Sequence, residues 1–505
     1  MTAVPDVDLT PLAPIGFTAI AAMLVLMGEV LLTRQRLSEA RIGAALAGIA
    51  VLGLVCAFYT AFHGFATGTS AYFNPENPLY RLDAFSAFVT ALLALASALT
   101  CGLSVYYLRE MRVNHGEFYA LVLIATSGMM LMVGAVDFLT VFVGLELMSI
   151  PIYVLAGFDR RKLRSNEAAL KYLLIGSFAS AVLLYGVALL YGVAGSTSFD
   201  DIRAAFDPAN PLALIGLGLV LVGFAFKISS VPFHQWTPDV YEGAPALVTA
   251  FMSVTVKTAA FAALLRVLTL GFGPAAFDGV LRDILWALAA LSMIVGNLMA
   301  VIQDNVKRLL AYSSIAHAGY VLMGVVAGSF DGYSAVLFYL CAYTFMNLGA
   351  FGVVVALAQQ GRDCEPVESF AGLARTRPVL AGMMAIFMLS LAGIPGTVGF
   401  IAKLGVFMAA VDADLISLTI VGVLTSVVSI YYYLRIPVLM YMRDPGEEAP
   451  RRDFGSAEGV VLGFCAVLVV LLGILPGEGR LPLVDLPTPP LLEWARHSVE
   501  LLFAG

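Results

Sequence analysis

Residues 223–245 read GFAFKISSVPFHQWTPDVYEGAP, and this stretch decides the fold. It starts as the end of an apolar helix and then breaks. Pro232 and Pro238 remove amide donors, and Ser229 and Ser230 are placed to bond the carbonyls so freed. Lys227 stands just before the interruption. A second stretch, LAGIPGTVGFIAKLGVF at 391–407, repeats the pattern. Gly393, Pro395, Gly396 and Gly399 interrupt it, Lys403 follows, and the apolar run is too long for one straight span. Both stretches are read as discontinuous helices. Irregular backbone at membrane depth is tolerated only where protein buries it or where it lines a wet cavity. Paired broken helices in two halves are the pattern expected of inverted repeats.

The rest of the chain agrees with a membrane setting. Its 505 residues are 60% hydrophobic and 12% charged, with a mean hydropathy of +0.91. An ordinary soluble protein carries about 25% charged residues, and a helix needs about 20 apolar residues to cross a bilayer. Fourteen candidate runs fall roughly at 14–33, 42–66, 83–107, 118–136, 137–157, 168–194, 211–231, 244–272, 283–303, 309–329, 332–359, 379–411, 415–440 and 456–476. The fold class expected is an all-α polytopic membrane protein of about 14 transmembrane helices, in two inverted five-helix repeats with helices 7 and 12 discontinuous. One transmembrane domain spans 1–505. Within it, 118–272 forms the first repeat and 283–440 the second, with 1–117 and 456–505 as peripheral helices and tails. The connections are too short to bury a soluble core.

Basic residues decide the orientation. With the N-terminus outside, the inside loops hold Arg34, Arg36, Arg41, Arg109, Arg112, Arg160, Arg161, Lys162, Arg164, Lys307, Arg308, Arg362, Arg375, Arg377, Arg443, Arg451 and Arg452. The outside segments hold Arg81, Arg203, Arg282, Arg480 and Arg496. Both termini are therefore expected on the outer side. The acidic start MTAVPDVDLTP lacks the basic region of a signal peptide, so the first helix is expected to stay. The five cysteines are scattered with no CxxC, and the five histidines show no metal or haem spacing, so neither a metal site nor an iron–sulfur cluster is indicated. No GxGxxG follows a strand and no P-loop is present.

Four ionisable residues stand alone inside apolar runs: Glu146, Lys227, Lys257 and Lys403. A charge near the bilayer centre costs about 2.5–3.5 kcal/mol on insertion scales. One acid and three lysines on different helices suggest a chain of proton-exchanging groups. Glu146, in DFLTVFVGLELMSIPIY, is read as a titratable acid gating proton movement. The bland alternative is half of a structural ion pair. Lys227 is read as a proton carrier, against a lysine that permanently neutralises Glu146. It would share a helix face with His234 if the helix ran on. His234 is either a relay or a satisfied core histidine. Lys257 lies among Thr249, Ser253, Thr255 and Thr258, whose hydroxyls suit a hydrated channel or ordinary helix packing. Lys403 is a carrier or an anchor for opened backbone. His317, mid-span in AYSSIAHAGY, is a bridge between lysines or a core residue. Lys171 sits i,i+4 from Glu167, where a helix-surface ion pair is the plainer reading. Arg266 and Arg435 lie toward span ends, Glu29 is peripheral, and Asp304 suits a loop or cap.

The stretches GLELMSIPIYVLAGF (144–158), EAALKYLLIGSFASAVLLYG (167–186), FKISSVPFHQWTPDVYEGAPALVTAFMSVTVKTAAF (226–261) and NVKRLLAYSSIAHAGY (305–320) resemble the N-subunit family of bacterial proton-pumping NADH:quinone oxidoreductase, respiratory complex I. The resemblance covers about 118–411. WTPDVYEGAP is similar to the N type, while the sister M and L subunits share the VPFH-W-PD core but differ after it. The resemblance implies that Glu146 is the span-5 glutamate, Lys227 the span-7 lysine paired with it, Lys257 the central span-8 lysine and Lys403 the span-12 residue toward the outer exit. Lys171 and His317 match polar residues of the central axis. It implies a translocase subunit of the bacterial cytoplasmic (inner) membrane that couples quinone reduction elsewhere to proton transport. Its partners would be other antiporter-like and small membrane subunits and the lipid bilayer, with no nucleic acid. NADH, FMN, iron–sulfur clusters and quinone would belong to partner subunits, with no cofactor or metal in this chain. Two other readings stay open: a subunit of a cation/proton antiporter or hydrogenase-type complex, and a structural membrane scaffold with permanent ion pairs.

Overall fold

The computed structural model describes residues 8–34, 38–76, 78–273, 279–445, 455–475, 480–481, 486–487 and 490–503. The acidic start up to residue 7, Arg36, Arg451 and Arg452 lie outside the described residues. Helices dominate. In chain order they are α1 (Ala13–Arg34), α2 (Glu39–Thr67), α3 (Ala84–Glu110), α4 (Glu117–Gly134), α5 (Phe138–Ala156), α6 (Leu163–Ala194), the short α7 (Phe199–Ala205), α8 (Pro211–Lys227), α9 (Trp236–Gly243) and α10 (Ala246–Arg266). The last continues as a π-helical turn, Val267–Phe272. Then follow α11 (Val280–Val301), α12 (Val306–Ala327), α13 (Phe330–Ala356), α14 (Leu373–Thr376), α15 (Pro378–Ala392), α16 (Val398–Asp412), α17 (Ile416–Met442), α18 (Ser456–Ile474) and α19 (Pro490–Phe503). Two-stranded hairpins pair Ala71–Tyr72 with Arg81–Leu82 and Arg480–Leu481 with Leu486–Pro487.

Among the described residues, 12 helices are long and apolar enough to cross a membrane. The two shorter apolar helices, α8 and α15, each meet an interruption and resume as α9 and α16. The expected breaks in the seventh and twelfth spans are therefore present. Local chemistry sets the helix ends. The Asp83 carboxylate caps α3 by accepting from Ser86 N at 2.9 Å. Asp137 caps α5 through Thr140 N at 3.0 Å, and Asn305 caps α12 through Lys307 N at 2.9 Å.

Small residues set the helix spacing. A Cβ on Gly128 would lie 2.4 Å from Met148 N, and one on Gly144 would lie 2.6 Å from Met132 N, so α4 and α5 touch backbone to backbone. The same device joins α11 to α12: a Cβ on Gly296 would meet Ala316 N at 2.6 Å, and one on Gly319 would meet Met293 N at 2.7 Å. Helices α10, α12 and α13 form the centre and are buried along their apolar windows. At the periphery, α1, α17 and α18 present Met27, Leu424 and Val460 outward, as lipid-facing or subunit-facing helices do.

Candidate functional site

Lys227 is the last residue of α8, so its side chain leaves the helix end and crosses to α5. Its Nζ donates to Ser149 Oγ at 2.7 Å and to Tyr153 OH at 3.2 Å. The rings of Tyr153, Phe226 and Tyr172 surround the ammonium at 5.4, 5.7 and 5.8 Å, within cation–π range. Glu146, Ser149 and Tyr153 lie i, i+3 and i+7 on one face of α5. No ion pair joins Glu146 to Lys227 among the described residues. Glu146 Oε1 is buried with no hydrogen-bond partner.

The break after Lys227 differs from expectation in two ways. Ser230 Oγ does bond a freed carbonyl, Ala225 O, at 3.3 Å. Ser229 does not: its φ is +62° and its hydroxyl has no partner. Trp236 Nε1 instead donates to Phe226 O at 3.2 Å, and Ser292 Oγ accepts from Val231 N at 2.9 Å. Because the helix stops at Lys227, His234 shares no helix face with it. His234 lies inside the interruption with Nδ1 buried and unpartnered.

Lys257 is buried at the middle of α10. Its Nζ donates to Ser314 O at 2.7 Å and also to Ser314 Oγ, both on α12. The flanking hydroxyls on its own helix do not bond it. Thr249 turns to Tyr241 O at 2.9 Å, Ser253 to Ala250 O at 3.0 Å and Thr255 to Phe251 O at 2.8 Å, while Thr258 has no partner. The first three bond backbone instead.

A second set of polar contacts starts at Ser313, the residue preceding Ser314. Ser313 Oγ bonds Tyr433 OH. Tyr433 OH lies 2.9 Å from His317 Nε2, and His317 Nδ1 lies 2.7 Å from Tyr339 OH. A neutral imidazole donates through one nitrogen and accepts through the other, so either tautomer satisfies both phenols. One helical turn on, the Tyr320 ring packs 5.9 Å from His317. Lys403 Nζ lies 5.1 Å from the Tyr320 centroid. Asn297 donates to Tyr320 OH at 3.2 Å and accepts from Tyr432 OH at 3.0 Å. Lys403 itself donates to Ala392 O at 2.9 Å, an open carbonyl at the end of α15, and to Ser426 Oγ at 3.0 Å.

Lys257, His317 and Lys403 are thus drawn into one buried polar line, with Lys227 and Glu146 at the far side of α10. Tyr172, beside the Lys227 ammonium, stacks on Trp236 at 4.3 Å, and the hydroxyls of Thr237 and Tyr241 are buried without a hydrogen-bond partner. Lys171 sits elsewhere. Its side chain is 42% exposed and pairs with Glu167 at 2.7 Å and Asp239 at 3.1 Å. It belongs to a charged cluster at the basic loop end, where Arg308 bridges Asp239 and Glu242, each at 2.9 Å, and Lys307 meets Asp363 at 3.2 Å. A cavity of about 400 Å³ opens there, lined by Asp159, Glu242, Lys307, Asp363 and Glu365. Sequence reasoning missed this cluster and the Ser and Tyr partners of the lysines.

Residues 135–429 match the family described as "NADH:quinone oxidoreductase/Mrp antiporter, TM". The chain is 47% identical to NADH-quinone oxidoreductase subunit N from Trichlorobacter lovleyi, over 90% of this chain and 91% of that one. It belongs to the NADH-quinone oxidoreductase subunit N family. Among solved structures, a chain of respiratory complex I from Thermus thermophilus, determined with bound aureothin, is 36% identical with a TM-score of 0.77, covering 92% of this chain and 98% of that chain. A chain of the Mrp complex from Dietzia sp. DQ12-45-1b has a TM-score of 0.82 over 98% of both chains but is 23% identical, and shows a shared fold alone. Membership in the subunit N family makes the chain a multi-pass membrane protein whose long α-helices and two broken helices follow the fold read from the sequence.

Proposed function

We propose that this chain moves protons across a bacterial inner membrane as an N-type membrane subunit of an NADH:quinone oxidoreductase, driven by quinone reduction in partner subunits. The observation that carries the reading is a contrast in the company of the charges. Lys227, Lys257 and Lys403 are all buried and all donate to neutral oxygens. The cations toward the chain's loop ends, such as Lys307, Arg308 and Arg266, sit in ion pairs. A permanent scaffold would pair its buried charges, because an uncompensated one is costly. A lysine held by neutral oxygens can release its proton, and the hydroxyls among them can pass it on.

In this reading the basic loops face the cytoplasm and both termini face out. Residues 118–272 and 283–440 act as two inverted repeats, supported by the glycine contacts shared by α4–α5 and α11–α12 and by the two broken helices. Protons are taken up on the basic-loop side at the acids Asp239 and Glu242, and Lys171 pairs with Asp239 there without carrying the proton itself. Glu146 biases Lys227 through the Ser149–Tyr153 face. Lys257 passes its proton through the Ser314, Ser313 and Tyr433 hydroxyls to His317, and Lys403 releases it on the outer side. His234 serves as a side branch within the first break. NADH, FMN, iron–sulfur clusters and quinone are assigned to partner subunits.

The test compares Lys257→Arg with Lys257→Met in the native complex, reconstituted in vesicles. Arginine keeps the charge but cannot release a proton. Both variants are expected to lower proton transport per NADH oxidised by about tenfold or more, at normal subunit content. Near-normal pumping with arginine would return the site to a structural role.

A further inference from the structure

We propose that Arg266 and Asp83 form a fixed-charge seal that keeps protons on Lys257 from leaving directly at the end opposite the basic loops. The inference rests on the proton-transport reading above. Arg266 lies nine residues beyond Lys257 on the same helix, about 14 Å along its axis. It is 1% exposed. Its Nη1 lies 2.9 Å from Asp83 Oδ2 and 3.1 Å from Oδ1, and its Nε donates to Ala135 O at 3.0 Å. The guanidinium therefore ties the start of α3, the end of α4 and the end of α10 at one point.

Three details suit a barrier to protons better than a simple clamp. First, Arg81 approaches the same carboxylate at 3.6 Å. Two guanidiniums share one acid, so the group carries net positive charge. Asp137, close by in the chain, is occupied by Thr140 N at 3.0 Å and Thr197 Oγ1 at 2.5 Å. Second, Arg266 Nη2 and Tyr80 OH are buried without a protein partner. Such polar atoms can hold water, and a wettable spot in line with a proton carrier needs a barrier. Third, the end is covered by aromatic rings: Phe138 with Phe199 at 4.9 Å, Phe206 with Phe272 at 5.1 Å and Phe138 with Phe272 at 5.8 Å. Beside these rings the same end also holds a cavity of about 490 Å³, lined by Arg203, Leu268 and Thr269 of the first half as well as Arg282, Asp331 and Asp412 of the second, so water reaches the turn just beyond Arg266 and the guanidinium is the last charge before it. A fixed arginine excludes protons from a wetted passage and cannot hand one on. With the first exit blocked, a proton on Lys257 has Lys403 as its way out.

The experiment uses the whole complex in vesicles, at rest and then with NADH. Arg266→Met combined with Asp83→Asn removes both charges and leaves the cap on Ser86 N. Resting proton conductance under an imposed pH gradient is expected to rise about tenfold, and protons moved per electron are expected to fall while NADH oxidation continues. Arg266→Lys keeps the ion pair, so it assembles even if the double variant does not. Lysine exchanges protons, so its resting conductance is also expected to exceed wild type. Wild-type conductance in an assembled Arg266→Lys complex would overturn the seal and leave a structural clamp. Conductance at rest needs no turnover. Failure of wild type to pump would instead defeat the transport reading and leave the seal to be judged by the leak.

Discussion

The two broken helices place a lysine at each interruption but use it differently. Lys227 ends α8 and reaches away from its break to the hydroxyls of α5. The break itself is held by other groups: Ser230, Trp236 and Ser292 satisfy backbone atoms on either side. Lys403 comes after its break and reaches back, so its ammonium closes the open carbonyl of Ala392. Space for it is set by Gly393, with φ +85°, where a Cβ would stand 2.9 Å from Lys403 Cδ. The electrostatic company differs as well. Lys227 has a carboxylate one turn beyond its hydroxyl partners, whereas Lys403 has Tyr320 and the His317 network. The two lysines therefore carry unequal duties: the first is free of the local fold, and the second is part of it.

The largest effect is expected where the second break depends on close approach. A Cβ on Gly399 would lie 1.9 Å from Ser390 O and 2.8 Å from Met346 Sδ. No side-chain adjustment relieves a clash with backbone, and Gly399 N also donates to Ser390 Oγ at 3.1 Å. Gly399→Ala is expected to remove the subunit from the assembled complex. Gly396 has φ +86° but open space around it. Gly396→Ala should cost only about 1–2 kcal/mol of backbone strain and leave assembly intact. Subunit content by quantitative mass spectrometry checks both. Equal content would show that chain flexibility, not contact, sets this break.

The next effect separates the two lysines. Lys403→Met strands the Ala392 carbonyl, and a buried unsatisfied group costs about 1–3 kcal/mol. Lys227→Met strands less, because Ser149 already donates to Leu145 O and Tyr153 can turn to it. Both variants are expected to lose pumping, but only Lys403→Met should shorten the thermal lifetime of the isolated complex. Matched lifetimes would erase the distinction between a free lysine and one built into its break.

What the sequence made legible follows from what is costly. Proline at 232, 238 and 395 and glycine at 393, 396 and 399 announced the breaks because both residue types disfavour an uninterrupted helix. Lysine and glutamate in apolar runs announced themselves by insertion cost. Serine and tyrosine carry no such penalty, so Ser149, Ser314, Tyr433 and Ser426 looked like ordinary helix residues until the bundle placed them. Arg266 was read as lying toward a span end. The chain continues through the turn at Val267–Phe272, and Asp83, 183 residues away, meets it in the interior. The Lys171–Glu167 pair was readable at i,i+4. Its second partner, Asp239, was not, since it stands on α9 beyond the break.

The smallest effect is expected at Lys171, and it tests where the buried path stops. Lys171 and Glu167 are about half exposed, and such pairs contribute roughly 0–1 kcal/mol. Asp239 keeps Arg308 at 2.9 Å when the lysine is removed, and Arg308 also holds Glu242 at 2.9 Å. Lys171→Met should therefore assemble normally and keep most of its pumping. What deficit remains should depend on ionic strength, since salt screens exposed charges over about 10 Å at 0.1 M. Lys257→Arg, by contrast, should fail equally at low and high salt, because its site is closed to ions. Pumping of the two variants across a salt series makes the comparison. If Lys171→Met abolishes pumping at every salt concentration, the line between ion-paired peripheral cations and neutrally held core lysines does not mark the edge of the path, and the path must extend through Lys171 to the loops.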